Sequence, residues 1–122
     1  MSSLAAITSK VKLGQVVTCN SYRNPALLAK MLSTLDVISN GRTELGIGAG
    51  WHEEEYRQHE YDFPPGVVRI KQLDESVSII KAMWSKQNAS FKGKYYSIKD
   101  AICNPKPLQQ RPTSGKHCLI RH

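Results

Sequence analysis

The chain has 122 residues, with 17 lysines and arginines against 10 aspartates and glutamates, a net charge of +7 and 40% hydrophobic content. That is the size of one domain, able to bury roughly two-thirds of the surface its unfolded chain exposes, and no run approaches the ~18 apolar residues of a membrane-crossing helix. The basic residues are scattered, no denser anywhere than Lys92-Gly93-Lys94, so the charge reads as solvated faces and loops rather than a nucleic-acid-binding stripe.

The start, Met1-Ser-Ser-Leu-Ala-Ala-Ile-Thr-Ser-Lys, lacks a basic region followed by an apolar core, which argues against a secretory signal. Cys19, Cys103 and Cys118 are odd in number, widely spaced and contain no C-x-x-C pair. That argues against a disulfide framework or a zinc site and implies a cytoplasmic location.

In chain order, Leu4-Ala5-Ala6-Ile7 reads as the last turn of a helix. Val11 to Thr18 is a short run rich in β-branched residues, the pattern of a strand buried on both faces of a parallel sheet. Asn24-Pro25 supplies an N-cap and a proline suited to the first helical position. Leu28, Met31, Leu32, Leu35 and Ile38 then recur at spacings of three and four as one buried helical face, which Asn40-Gly41 terminates. Arg42 to Gly48 is the next strand, with Leu45 and Ile47 on one side and Glu44, Gly46 and Gly48 on the other. Strand, helix and strand so joined imply a parallel crossover.

Residues 49–66 form a long loop, closed by Pro64-Pro65-Gly66. A second amphipathic helix follows, carrying Ile70, Leu73, Val77, Ile80 and Trp84 on one face. Phe91 to Ile98 is a short extended insertion, one arm of a hairpin. Asn104-Pro105-Lys106-Pro107 is an extended, proline-stiffened connection leading to no strand. Beyond Arg111 the pattern stops, so residues 113–122 are expected to be a divergent, disordered tail after a domain spanning 1–112.

In parallel α/β proteins ligands sit at the carboxyl ends of strands. Two such ends are readable, Val16-Val17-Thr18-Cys19-Asn20 and Gly46-Ile47-Gly48-Ala49-Gly50-Trp51. The alternating glycines present a smooth face that a flat ring could approach, or else relieve crowding beneath a packed element. A dinucleotide fingerprint would need glycine where Trp51 stands. The H-E-x-x-H zinc pattern fails because Tyr56 occupies its last position, so no metal is expected. Trp51 and Tyr56 are either loop anchors or partners of a ring. No nucleophile has an evident partner, and an acid–base role for His52 or Glu55 has no support beyond its position.

These segments together resemble the luciferase-like monooxygenase superfamily, the flavin- or deazaflavin-dependent oxidoreductases related to bacterial luciferase. The similar motifs run in order: Thr8 to Gly14, Tyr22-Arg23-Asn24-Pro25-Ala26-Leu27-Leu28-Ala29-Lys30, Leu35-Asp36, Ser39-Asn40-Gly41-Arg42 and Gly46 to Trp51. Glu55-Tyr56, Phe63-Pro64, Arg69, Phe91 to Tyr96 and Pro105-Lys106-Pro107 extend the likeness over about residues 4–110. The chain looks closest to the coenzyme F(420)-dependent, methylenetetrahydromethanopterin-reductase-like branch.

The resemblance implies an α/β fold, part of a TIM-like (β/α)8 barrel comprising about its third and fourth strands, their helices and a short insertion. It implies a pocket for the ring of FMN or coenzyme F(420), the choice left open. Val16, Val17 and Thr18 would form a bulge, often with a non-prolyl cis peptide, that supports the ring; Gly48, Gly50 and Trp51 would line the same pocket. The family's first two strands would precede residue 1 and strands five to eight would follow residue 112, so a frameshifted or truncated reading frame is expected. The implied function is hydride or oxygen transfer on a bound cofactor with a small-molecule substrate. The alternative is an inactive remnant or an oligomerising fragment. No nucleic-acid or membrane partner is expected, whereas a homo-oligomer is.

Overall fold

In chain order the computed structural model contains α1 (Ser2–Ile7), β1 (Leu13–Gly14), β2 (Thr18–Cys19), α2 (Pro25–Ile38), β3 (Thr43–Gly48), α3 (Glu53–Gln58), α4 (Gly66–Ser85), β4 (Ala89–Lys92), β5 (Ser97–Ala101) and β6 (Cys118–Arg121). It describes residues 1–109 in full and 118–121 by backbone. The strand β3 organises the sheet, since β1, β2 and β6 all pair with it in parallel.

The register shows that β1 and β2 are halves of one interrupted strand. Leu13 and Gly14 pair with Thr43 and Glu44, whereas Thr18 and Cys19 pair with Ile47 and Gly48. Three residues, Gln15 to Val17, therefore oppose only Leu45 and Gly46, which is a β-bulge with one extra residue. The bulge contains a cis peptide between Val16 and Val17. This corrects the expectation of a strand buried on both faces: Val16 is 81% exposed because the bulge turns it out of the ladder, and Val11 is exposed ahead of β1.

The caps of α2 are those expected. Asn24 accepts from the N–H groups of Ala26 (2.9 Å) and Leu27 (3.3 Å), and Pro25 begins the helix. Asn40 (φ 54°) and Gly41 (φ 76°) turn the chain away after Ser39. The buried face differs from the expected one. Leu28 and Leu35 are buried, but Met31 (48%) and Ile38 (46%) are exposed. The helix is gripped on two sides: Leu28 and Ala29 join the main core, and Leu35 packs with Ala5 and Leu13. Met31 and Ile38 fall outside both contacts.

Leu73, Val77, Ile79, Ile80 and Met83 of α4 meet Leu45, Ile47 and Ala49 in the main core, with Ile70 and Trp84 partly buried at its margin. The Trp84 indole N–H donates to the Ala29 carbonyl at 3.0 Å, tying α4 to α2. Lys106, from the Pro-Lys-Pro connection, donates to the Met83 carbonyl at 2.6 Å and also to that of Lys86, capping the last turn of α4.

The insertion is a complete antiparallel hairpin, β4 with β5, rather than one arm. Its tip is fastened to α4 by Glu75, which accepts from the backbone N–H groups of Lys94 (2.8 Å), Tyr95 and Tyr96 (2.9 Å each). Burial acts to raise the Glu75 pKa, but these donors outweigh it and hold the carboxyl below its usual range. A depressed carboxyl pKa contributes stability above the ordinary value of 4.5 and loses it as pH falls through the folded value. Glu75→Gln is expected to cost about 1–2 kcal/mol at neutral pH and to weaken the acid dependence of urea unfolding.

The tail contains a surprise. Residues 113–117 and 122 lie outside the described residues, but Cys118–Arg121 pairs with Leu45–Gly48 as β6. Backbone donors and acceptors along the open side of β3 suffice for parallel pairing, so the segment forms a strand without the alternation that would announce one. Among the described residues, no helix is long and apolar enough to cross a membrane.

Candidate functional site

The carboxyl ends of β2 and β3 open into a cleft of about 620 Å³. All six residues expected at a ring-binding pocket line it: Val16, Val17 and Thr18 from the bulge and β2, and Gly48, Gly50 and Trp51 from the end of β3. Gln15, Cys19, Tyr22, Arg23, Ala49, His52, Glu55 and Tyr56 complete the lining. Two large apolar side chains stand out in it, Val16 at 81% and Trp51 at 83% exposed.

The two glycine readings divide by position. A β-carbon on Gly46 would collide with the carbonyl oxygen of Gln15 in the bulge, so this glycine relieves crowding. Gly50 has φ 82°, and a β-carbon there would strike the Tyr56 hydroxyl, so it too answers a packing demand while lining the cleft. Gly48, paired with Cys19 in register, also lines the cleft.

The loop after β3 is not wholly irregular, because Glu53–Gln58 forms α3. Three glutamates in its first turn suit the positive helix end, and Arg57 pairs with Glu53 (3.2 Å) and Glu54 (3.6 Å) on its outer face. Tyr56 consequently points inward and is 1% exposed, while Trp51 remains in the open. The pair considered together in the sequence thus separates into an anchor and a cleft wall.

Tyr56 ties the two strand ends together. Its hydroxyl donates to Ser21 Oγ at 2.8 Å and lies 3.1 Å from Cys19 Sγ. Phe63 meets the Tyr56 ring edge-on at 4.8 Å, and Arg69 lies 3.8 Å above the Phe63 ring. Arg69 also donates to the Gly50 carbonyl at 3.3 Å and to that of Pro64, so α4 fixes the loop bearing Gly50. Tyr22 stacks on Tyr61 at 4.8 Å, and its hydroxyl oxygen is buried without a hydrogen-bond partner.

Burial first, and the nearby Glu55 carboxylate second, push the Tyr22 phenol above its ordinary value. Burial and the Cys19 contact push Tyr56 up to about 12. Stability from such raised groups is full below pH 10.0 and declines as pH rises through about 12, because the unfolded phenol ionises first. Tyr56→Phe is expected to cost about 1 kcal/mol at neutral pH and to lessen the alkaline loss, as read by urea unfolding at neutral and alkaline pH.

Sequence reading missed Tyr22, Arg23 and Gln15 as cleft residues, although the strand-end rule covers their neighbourhood. His59 Nδ1 lies 3.0 Å from the Glu55 carbonyl, and no three His, Cys, Asp or Glu residues converge among the described residues. An exposed bulge, two open apolar side chains and a glycine-bearing strand end fit a flat, largely apolar ring. The Tyr22 hydroxyl is buried beside the Glu55 carboxylate at the wall of the cleft.

Residues 1–114 match the luciferase-like monooxygenase family. An F420-dependent glucose-6-phosphate dehydrogenase of Amycolatopsis mediterranei is 34% identical over 113 residues, 92% of this chain and 34% of that protein. Pyrimidine monooxygenase RutA of Acinetobacter baylyi is 36% identical over 111 residues, covering 88% and 29%. Among solved structures, an F420-dependent secondary alcohol dehydrogenase in complex with an F420-acetone adduct gives a TM-score of 0.82 at 26% identity, over 97% of this chain and 34% of that one. The oxygenating constituent of 3,6-diketocamphane monooxygenase from Pseudomonas putida, in complex with FMN, gives 0.69 at 27% identity, over 82% and 28%. The chain spans about a third of the length of these relatives. Its parallel strands and crossover helix form part of a TIM-like barrel, and the chain belongs to the luciferase-like monooxygenase family.

Proposed function

We propose that the cleft binds the tricyclic ring of FMN or of the deazaflavin coenzyme F(420), and that the chain serves an oxidoreductase or monooxygenase reaction on a small molecule. The observation that carries this reading is the bulge at Gln15–Val17, which presents Val16 at the cleft opposite the glycine-bearing end of β3. Val16 and Val17 would back one face of the ring, the Gly48–Gly50 backbone would allow close approach, and Trp51 would shield an edge from water. Thr18, held by its hydroxyl bond to Gln15 Oε1 at 2.8 Å, would keep the bulge in place. The bound ring supplies the redox chemistry, accepting or delivering hydride or activating oxygen.

Titrating the purified protein with FMN and with coenzyme F(420), followed by fluorescence, tests this directly. Saturable binding of one is the expected result, and binding of neither at millimolar concentration overturns it. A non-catalytic chain is the second reading, favoured by the open position of Trp51. Ring binding without turnover of any electron donor would select it. Free thiols at Cys19 and Cys103 suit the cytoplasmic location we propose. Exposed Leu4, Ile7, Leu27 and Met31 on α1 and α2 support self-association with a second copy, which a monodisperse monomer in light scattering would contradict.

A further inference from the structure

Four arginines have described side chains, and three are engaged within the fold. Arg42 donates to backbone carbonyls of Ala5, Thr8, Val11 and Ser39. Arg57 pairs with Glu53 and Glu54, and Arg69 holds the Gly50 and Pro64 carbonyls. Arg23 differs. It is exposed, it lines the cleft, and it has no hydrogen-bond or ion-pair partner among the described residues. A solvated surface arginine is commonplace, so placement has to decide its significance.

Arg23 lies on the short link between β2 and α2, immediately after Tyr22 with its orphaned hydroxyl. Across the same lining, Gln15 accepts from Thr18 through Oε1, leaving its amide N–H groups without a partner among the described residues. Glu55 is the one carboxylate in the lining and opposes an anion there. Arg23, Gln15 and His52 supply more donors than Glu55 supplies acceptors, and the net charge of +7 adds a favourable field. A guanidinium with every N–H uncommitted matches phosphate or carboxylate oxygens two at a time.

We propose that Arg23 recognises an anionic group, phosphate or carboxylate, on the small molecules that occupy this cleft. The inference rests on the ring-binding reading above. The anion is either the phosphate of the cofactor's tail or an acidic group of the substrate, and both present the same oxygens to the guanidinium.

The test compares wild type and Arg23→Gln with ligands sharing a ring but differing in charge: FMN against riboflavin, and coenzyme F(420) against its ring–ribityl core. Because Arg23 is exposed and has no hydrogen-bond or ion-pair partner among the described residues, the variant should melt with wild type. If the cofactor's phosphate is the anion, wild type binds the phosphorylated ligand about tenfold more tightly than its neutral counterpart. The variant then loses that advantage while its affinity for the neutral ring is unchanged. If the substrate supplies the anion, both proteins bind the two cofactor forms alike. Inorganic phosphate or succinate then perturbs the ring fluorescence of ring-loaded wild type, and does so about tenfold more weakly in the variant. Dependence on Arg23 in neither arm overturns the proposal even if the neutral ring binds well. Failure of every ring ligand to bind overturns the ring reading, and the proposal with it.

Discussion

Replacing Gly46 by alanine is expected to destabilise the fold by about 3 kcal/mol and to lower its melting temperature by roughly 10 °C. The reason is the obstacle's rigidity. The added methyl would meet the Gln15 carbonyl oxygen, part of the backbone, with Val17 Cγ1 at 3.4 Å on the same side. Flexible side chains can swing aside, whereas a carbonyl moves only with its strand. Accommodating the methyl means pushing β1 and β2 off β3, or pulling Gln15 back and undoing the bulge. Either change withdraws Val16 and Val17 from the cleft, so ring affinity should fall together with stability. Thermal unfolding and ring titration on the same sample check both. A Gly46→Ala protein with wild-type melting and wild-type affinity would show that the bulge does not depend on this contact.

Arg42→Ala is expected to cost about 3 kcal/mol at the opposite end of the sheet, away from the cleft. The guanidinium bonds the Ser39 carbonyl at 2.6 Å and the Ala5, Thr8 and Val11 carbonyls at 2.8 Å each, with the Thr8 hydroxyl at 3.0 Å. One side chain thus closes the end of α1, the approach to β1 and the turn after α2. Arg42→Lys should recover only part of the loss, since an ammonium cannot span that fan of acceptors. Arg57→Ala removes the two exposed ion pairs of α3 and should cost under about 0.5 kcal/mol. Urea unfolding of the three variants gives the comparison, and equal losses at positions 42 and 57 would discredit the assignment.

The features legible in the sequence are those whose chemistry is local. Asn24-Pro25 and Asn40-Gly41 announce the limits of α2 because capping and positive φ are properties of those residues. The periodicity of α4 survives because Leu73, Val77 and Ile80 all face the same core. The bulge was implied by resemblance and not by its residues, since Gln15-Val16-Val17 scans as ordinary strand. Its cause lies across the ladder, where Gly46 leaves room for a carbonyl. Met31 and Ile38 mislead because their spacing matches the helical repeat while the neighbours of α2 sit to either side of them. Glu53-Glu54-Glu55 hides α3 as a charged loop, although its acids suit a helix start. The strand β6 is too short, at Cys118–Arg121, to show a period in the sequence, and its place is visible only in its register with β3.

The one-residue excess between β1 and β2 also fixes a parity. Leu13 and Thr18 are five apart, an odd interval that would put them on opposite faces of an uninterrupted strand, yet both share a face with Thr43 and Ile47. The excess residue restores the phase, and so leaves Cys19 on the side from which Tyr56 reaches it. Loss of a single codon within Gln15–Val17 would shorten that interval to four, which an uninterrupted strand spans with Thr18 still opposite Ile47, so the phase would survive and the bulge would not. Val16 would then lie within a regular ladder and no longer be turned out at the cleft. Length in this segment therefore decides whether the cleft has its bulge, while the pairing of β2 with β3 is indifferent to that one residue.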